Sequence, residues 1–180
     1  MKVIGVTGLP GSGKSIIFDT AKEKGAIVVS MGDIVREKAA ERGEDSTTTA
    51  RKLREEHGQY IVAKLTVEKI KKILEEEKED KIILIEGIRS PYEIEMFDAN
   101  FDEFTSVSIY ASPKTRFERI VRRGRADDSD VYEDFRDRDQ QELGFGIGEI
   151  IATADYLIKN EGTIEEAKEE VVEFLEIEMG

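Results

Sequence analysis

The 180-residue chain has no cysteine and no tryptophan, a single histidine and only three prolines. Without cysteine there can be neither a disulfide framework nor a thiolate zinc site. His57 alone cannot assemble a metal cluster, and it reads as a helix-end or surface residue. No stretch approaches the roughly 18 consecutive apolar residues that a membrane-spanning helix requires. The first residues spell a strand and a loop, unlike the start of a signal peptide, so a cytoplasmic location with no membrane partner is expected. Basic charge is also in short supply: 27 Lys and Arg against 40 Asp and Glu give a formal net charge of −13. That balance opposes non-specific binding to nucleic acid, and no nucleic-acid partner is expected. The length suits one domain with a core of its own.

Against this background one motif stands out. Gly8-Leu9-Pro10-Gly11-Ser12-Gly13-Lys14-Ser15 has the spacing G-x-x-x-x-G-K-[ST]. It follows the apolar run Val3-Ile4-Gly5-Val6 and precedes Ile16-Ile17-Phe18, which opens a helical pattern. Strand, glycine-rich loop and helix in that order make a phosphate cradle: backbone N–H groups turn inward and the helix adds its positive end. Lys14 is then placed to reach the β- and γ-phosphates of a nucleoside triphosphate, and the Ser15 hydroxyl to ligate Mg²⁺.

Elements alternate along the chain. Strands are expected near 2–7, 26–30, 81–86, 104–110 and 155–159. Helices are expected near 14–23, 32–42, 47–57, 60–78, 90–98, 113–123, 131–143 and 163–177. Ile82-Ile83-Leu84-Ile85 is apolar without alternation, as befits a central parallel strand covered on both faces. Ile61, Leu65, Ile70, Ile73 and Leu74 form one stripe of a long amphipathic helix. Glu75-Glu76-Glu77 and Glu165-Glu166 read as solvated helix faces. The pattern predicts an α/β fold, a doubly wound five-stranded parallel sheet with a helical insertion between the second and third strands.

Three further clusters follow, the first two of them where such sheets collect ligands, at the carboxyl ends of strands. In Met31-Gly32-Asp33-Ile34-Val35-Arg36, Asp33 and Arg36 stand three apart on a first helical turn and can point into one cleft; the alternative is a helix cap and a surface arginine. In Glu86-Gly87-Ile88-Arg89, the carboxylate can hold the water ligands of magnesium and the arginine a second anionic group. The third cluster is arginine-rich: Arg116, Arg119, Arg122, Arg123 and Arg125, then Arg136 and Arg138. Gly124 looks like a hinge at which a lid could bring Arg125 and Arg136 onto a transferring phosphoryl group. The alternative is an ion-pair network with Asp127, Asp128, Asp130, Asp134 and Asp137.

These segments resemble nucleoside-monophosphate-kinase-fold proteins, the adenylate kinases and dephospho-coenzyme A kinases. The chain is most similar to an archaeal adenylate-kinase-related P-loop family that is also described as dephospho-coenzyme-A-kinase-like. Met31 to Arg36 resembles "T-G-D-M-L-R", which implies that Arg36 grips the acceptor phosphate. Glu86 to Arg89 resembles "D-G-F-P-R", implying Glu86 near magnesium and Arg89 on the acceptor phosphate. Arg119, Arg122 and Arg123 resemble the pre-lid helix, where arginines meet adenine and ATP phosphates. Arg125 and Arg136, eleven positions apart, resemble the catalytic arginine pair of the lid. Ala154 to Gly162 resembles the last strand and adenine loop, which implicates Asn160 and Gly162 in ATP binding.

The resemblance implies a P-loop NTPase of the nucleoside monophosphate kinase type, one domain over 1–180. Its core would comprise 1–30, 81–123 and 138–180, with an acceptor-binding helical insertion at 31–80 and a short lid at 124–137. Two departures stand out: no glutamine follows Arg89 to read an acceptor base, and Leu143 to Glu149 has no counterpart. The expected activity is ATP- and Mg²⁺-dependent transfer of a γ-phosphoryl group to a nucleotide-like small molecule, with Lys14, Arg125 and Arg136 stabilising charge in flight. Alternatives are transfer to a ribose hydroxyl, as in dephospho-coenzyme A, with Asp33 as base, and an ATPase or switch that transfers nothing.

Overall fold

The computed structural model describes residues 2–77, 81–124 and 128–179. Five strands, β1 (Val3–Thr7), β2 (Ile27–Ser30), β3 (Ile83–Glu86), β4 (Phe104–Tyr110) and β5 (Tyr156–Lys159), form one sheet in the order β2-β3-β1-β4-β5. All four pairings are parallel. The run Ile83-Leu84-Ile85 is fully buried and β1 is buried throughout, as their unbroken apolar sequence requires of central strands. β5 is an edge strand, and only Ile158 of its four residues is buried.

Nine helices are described: α1 (Ser15–Glu23), α2 (Met31–Arg42), α3 (Ser46–His57), α4 (Ile61–Glu76), α5 (Pro91–Asp98), α6 (Pro113–Arg123), α7 (Tyr132–Gly144), α8 (Ile147–Thr153) and α9 (Ile164–Met179). Alternation along the strands divides the core in two. Ile4, Val6, Leu84, Val107 and Ile109 pack with Ile17 of α1 and Phe174 of α9 on one face. Val3, Ile83 and Ile85 pack with Ile34 of α2, Val67 and Ile70 of α4, Phe97 of α5 and Ile150 of α8 on the other. Helices α2, α3 and α4 all lie between β2 and β3, and α2 and α4 carry the buried side of that insertion. Among the described residues no helix is long and apolar enough to cross a membrane.

Element edges differ from the expected ones by one or two residues, as fraying ends do. The substantive addition is α8, which starts inside the stretch from Leu143 to Glu149 that has no counterpart in the resembled family; the rest of that stretch is the end of α7 and the turn between the two helices. Gly146 breaks α7 from α8 at φ +98°, and its backbone lies so close to the Pro91 ring that a Cβ there would come within 2.7 Å of Pro91 Cδ. Glycine satisfies both constraints at once. The junction thus seats the α7–α8 turn against the start of α5, beside β3's carboxyl end.

Candidate active site

The strand order reverses direction around β1, and the crevice at that switch holds the glycine-rich loop. Gly8 leaves β1 at φ +147°, with its backbone against Ile109 O, and Gly13 enters α1 at φ +93°, where a Cβ would run into the Asn160 amide. Side chains at either position would push the cradle open. A turn closes inside the loop, Ser12 N–H donating to Leu9 O at 3.1 Å. The N–H groups of Gly11, Gly13 and Lys14 have no backbone acceptor among the described residues, and Ser12 Oγ is buried without a partner. These are the donors a polyphosphate would meet. Lys14 arches over its own loop, Nζ donating to Gly8 O and to Leu9 O (3.2 Å). Burial lowers its pKa to about 8; Glu142 and Glu86 work against that shift, while Arg89 and Arg116 reinforce it.

Three residues brace this loop from outside. Asn160, 3% exposed, donates its amide to Ser12 O at 2.9 Å and its backbone N–H to Tyr110 O at 2.7 Å. Arg119 donates to Asn160 Oδ1 (3.1 Å) and reaches Ser12 O at 3.5 Å. Arg116, 2% exposed, makes a two-pronged pair with Asp139 of α7 (2.7 and 2.5 Å) and donates to Pro10 O and Ala111 O, both at 3.1 Å. Its guanidinium lies 5.0 Å over the Phe135 ring. The shared arginine face of α6 is therefore split: Arg116 ties loop, β4 and α7 together as a structural clamp, and Arg119 stays beside the loop. Glu161 performs the parallel task at the end of β5, accepting from Ser112 N and Thr115 Oγ1 at the start of α6; those bonds hold its pKa below the usual carboxylate range.

The arginines around the expected lid are in different situations. Arg123 forms a two-pronged pair with Asp128 (2.6 and 2.7 Å), whose buried side chain also lies 3.5 Å from Arg138. Part of the segment is thus the ion-pair network that the abundance of acids offered. Arg136 is exposed on α7 and makes no ion pair among the described residues. Gly124 ends α6 in the left-handed region at φ +55°. Arg125 lies outside the described residues, as do Ala126 and Asp127.

Across the crevice, Ser30 of β2 pairs with Glu86 of β3, which pairs in turn with Val6 of β1. Ser30 caps α2 by accepting from Asp33 N at 3.3 Å, so Asp33 sits in the first turn without being the cap. Asp33 and Arg36 share one face, and each is the other's partner, Nε to Oδ1 at 3.0 Å, both exposed. Arg89 is held at the backbone from two sides: Thr7 Oγ1 donates to Ile88 O (3.3 Å), and Glu93 accepts from Arg89 N (2.7 Å) and Ser90 N (3.1 Å). Burial raises the pKa of Glu93 against the pull of those bonds. Ser15 and Glu86 offer oxygen ligands with no hydrogen-bond partner among the described residues, and both could serve Mg²⁺. No group of three or more His, Asp or Glu able to hold a metal occurs among the described residues, so most ligands would come from phosphate and water.

Some of the site escaped the sequence. Glu93 had a readable signal in Ser90-Pro91-Tyr92-Glu93, a capping-box spacing. Tyr60 and Tyr92, whose rings lie 5.2 Å apart where α4 and α5 begin, had none, because the two helix starts meet only in three dimensions. Nor did Glu142 of α7, which faces Arg89 at 3.6 Å. Gly162 lies beyond Asn160 on the exposed turn into α9, its backbone against the Glu166 side chain.

Residues 4–142 match the AAA domain family. A UPF0200 protein from Methanothermobacter thermautotrophicus is 49% identical over 97% of this chain and 90% of its own length. Among solved structures, TT1252 from Thermus thermophilus superposes with a TM-score of 0.73 at 17% identity, covering 99% of this chain and 98% of that one. A shikimate kinase from Bacteroides thetaiotaomicron gives 0.62 at 16% identity, covering 97% and 98%. At such identities the structural likeness establishes the fold, that of a P-loop kinase.

Proposed function

The chain belongs to the UPF0200 family and carries a P-loop NTPase domain, and from that premise we propose that it is a small-molecule kinase. It would move the γ-phosphoryl group of ATP, with Mg²⁺, to a nucleotide-like acceptor bearing a phosphate. The observation that carries this reading is the crevice itself. A braced phosphate loop occupies one bank, and on the other Arg36 and Arg89 stand at the ends of β2 and β3, with Glu86 between the banks. A switch or simple ATPase has little use for arginines on the second bank.

Gly11, Gly13 and Lys14 would hold the donor phosphates through N–H groups, and Lys14 Nζ would swing from Gly8 O onto the outer phosphates. Arg89 and Arg36 would orient the acceptor phosphate, and Arg136 with Arg125 would meet the charge that spreads over the moving group. Mg²⁺, held by Ser15 and through water by Glu86, would supply neutralisation of the donor phosphates. A phosphate acceptor is already ionised and needs no base. A hydroxyl acceptor would need one, and the obvious carboxylate, Asp33, is already paired with Arg36 and would have to leave it to take a proton. The deciding experiment supplies ATP and Mg²⁺ with AMP, CMP, UMP, GMP or dephospho-coenzyme A and follows ADP. Formation of ADP only with a monophosphate supports the reading. Release that ignores the acceptor points to an ATPase, and release only with dephospho-coenzyme A to hydroxyl transfer.

A further inference from the structure

Glu142 belongs to no motif, yet it faces Arg89 and acts on Lys14 through its charge. It projects from α7 with its side chain only 13% exposed, and Oε1 stands 3.6 Å from NH1 of Arg89, which is 58% exposed. Its place is not left to the mobility of a surface carboxylate. Asp139, one helical turn earlier on the same face, is gripped by Arg116, and Arg116 is bonded to the phosphate loop through Pro10 O. Arg89 is equally constrained at its backbone by Ile88 O and Glu93, so the two charged groups are presented to each other by rigid elements. Lys14 feels the same carboxylate, which acts to keep that lysine protonated.

An anion that approaches Arg89 therefore meets a carboxylate already there. Both cannot use the guanidinium fully, and an anion beside an undisplaced Glu142 would suffer like-charge repulsion in a partly desolvated place. We propose that Glu142 is a resident competitor for the acceptor's anionic group: it pairs with Arg89, must release it when the acceptor binds, and so sets acceptor affinity. The inference rests on the assignment of Arg89 to the acceptor bank. It makes Glu142 a specificity-determining residue, because only an acceptor group that holds Arg89 more strongly than one carboxylate does, such as a dianionic phosphate, would win the exchange.

The test measures anion binding and does not need the natural acceptor. With the donor site filled by Mg·ADP, inorganic phosphate is titrated at constant ionic strength into the wild-type protein, Glu142→Gln, Arg89→Ala and the double variant. Glu142→Gln keeps the side chain's shape and removes its charge. It should tighten phosphate binding about two- to fivefold, the range an ion pair with one exposed partner allows. In the Arg89→Ala background the same change should do nothing. Glu142→Ala, which deletes the carboxylate outright, should shift binding in the same direction as Glu142→Gln and covers the case in which one variant folds poorly. Phosphate binding that is unchanged, weaker or undetectable in Glu142→Gln overturns the inference. So does equal tightening with and without Arg89, which would trace the effect to the field at Lys14. Transfer assays read the kinase proposal separately: tightening without any transfer would leave Glu142's role standing and remove the kinase, and transfer with unaltered phosphate binding would do the reverse.

Discussion

The two banks of the crevice are built in opposite ways. On the donor bank the phosphate loop is held by buried or half-buried groups: Asn160 and the half-buried Arg119 on Ser12 O, Arg116 on Pro10 O, each tied in turn to a strand end or to α7. On the acceptor bank, backbones are fixed but the arginines are exposed and paired with carboxylates, Arg36 with the exposed Asp33 and Arg89 with the largely buried Glu142. The donor bank is organised before any ligand arrives. In the proposed reaction the acceptor bank would exchange internal ion pairs for contacts with its ligand. Rigid recognition of a common donor and exchangeable recognition of a particular acceptor is a division of labour that polar groups at different burial naturally produce, because a buried donor left unpaired costs far more than an exposed one.

The largest expected effects belong to the two arginines expected to meet the moving group. Arg136→Ala and Arg125→Ala should lower kcat on the order of a thousandfold, as arginines that meet the moving phosphoryl group do elsewhere, with ATP affinity in equilibrium binding nearly unchanged. Lysine should restore only part of the rate. Full kcat in both alanine variants would reduce the lid to an ion-pair network. Lys14→Ala should cut transfer by about a hundred- to a thousandfold while circular dichroism still reports the native fold.

The next pair sets one bank against the other. Arg116→Ala leaves Asp139 buried without its partner and should cost about 3–5 kcal/mol of stability in denaturant unfolding. Arg36→Ala should change stability by ~1 kcal/mol or less, since its pair is exposed. It should instead raise the acceptor's KM by an amount worth about 1.5–3 kcal/mol while the KM for ATP stays put. Equal destabilisation by the two substitutions, or equal effects of Arg36→Ala on both substrates, would erase the contrast.

The smallest signal is a proton. Lys14 has a folded pKa of about 8, below its ordinary 10.5. Between those values the unfolded chain binds more protons than the folded one, so this residue's contribution to stability rises with pH across that window and is smallest below about 8. Donor phosphates favour the charged form, so nucleotide binding near pH 9 should take up as much as about one proton. Calorimetry in buffers of differing ionisation enthalpy reads that number directly, and it should vanish in Lys14→Ala.

Much of the fold was legible. All five strands and eight of the nine described helices lie where periodicity and turn residues put them, because central parallel strands have to be continuously apolar and Gly8, Gly43 and Gly124 mark real backbone turns. α8 was harder to see because its seven residues are too few to show a period, and its start depends on Gly146 meeting Pro91 from another element. The arginine segment shows the limit most plainly. Arg116, Arg119 and Arg123 are identical in type and share a helical face, but one is a buried clamp, one braces the loop and one is paired within the lid segment.

What the sequence determined by itself was local: the phosphate loop, whose eight consecutive residues carry both shape and chemistry, and the strand ends that supply Asp33, Arg36, Glu86 and Arg89. Tertiary structure alone decided which charges are free to act. The choice depends on partners far away in the chain, Asp139 for Arg116, Asn160 for Arg119 and Glu142 for Arg89. An arginine's work is set by the nearest acceptor and the depth at which they meet, and neither is written in the residues beside it.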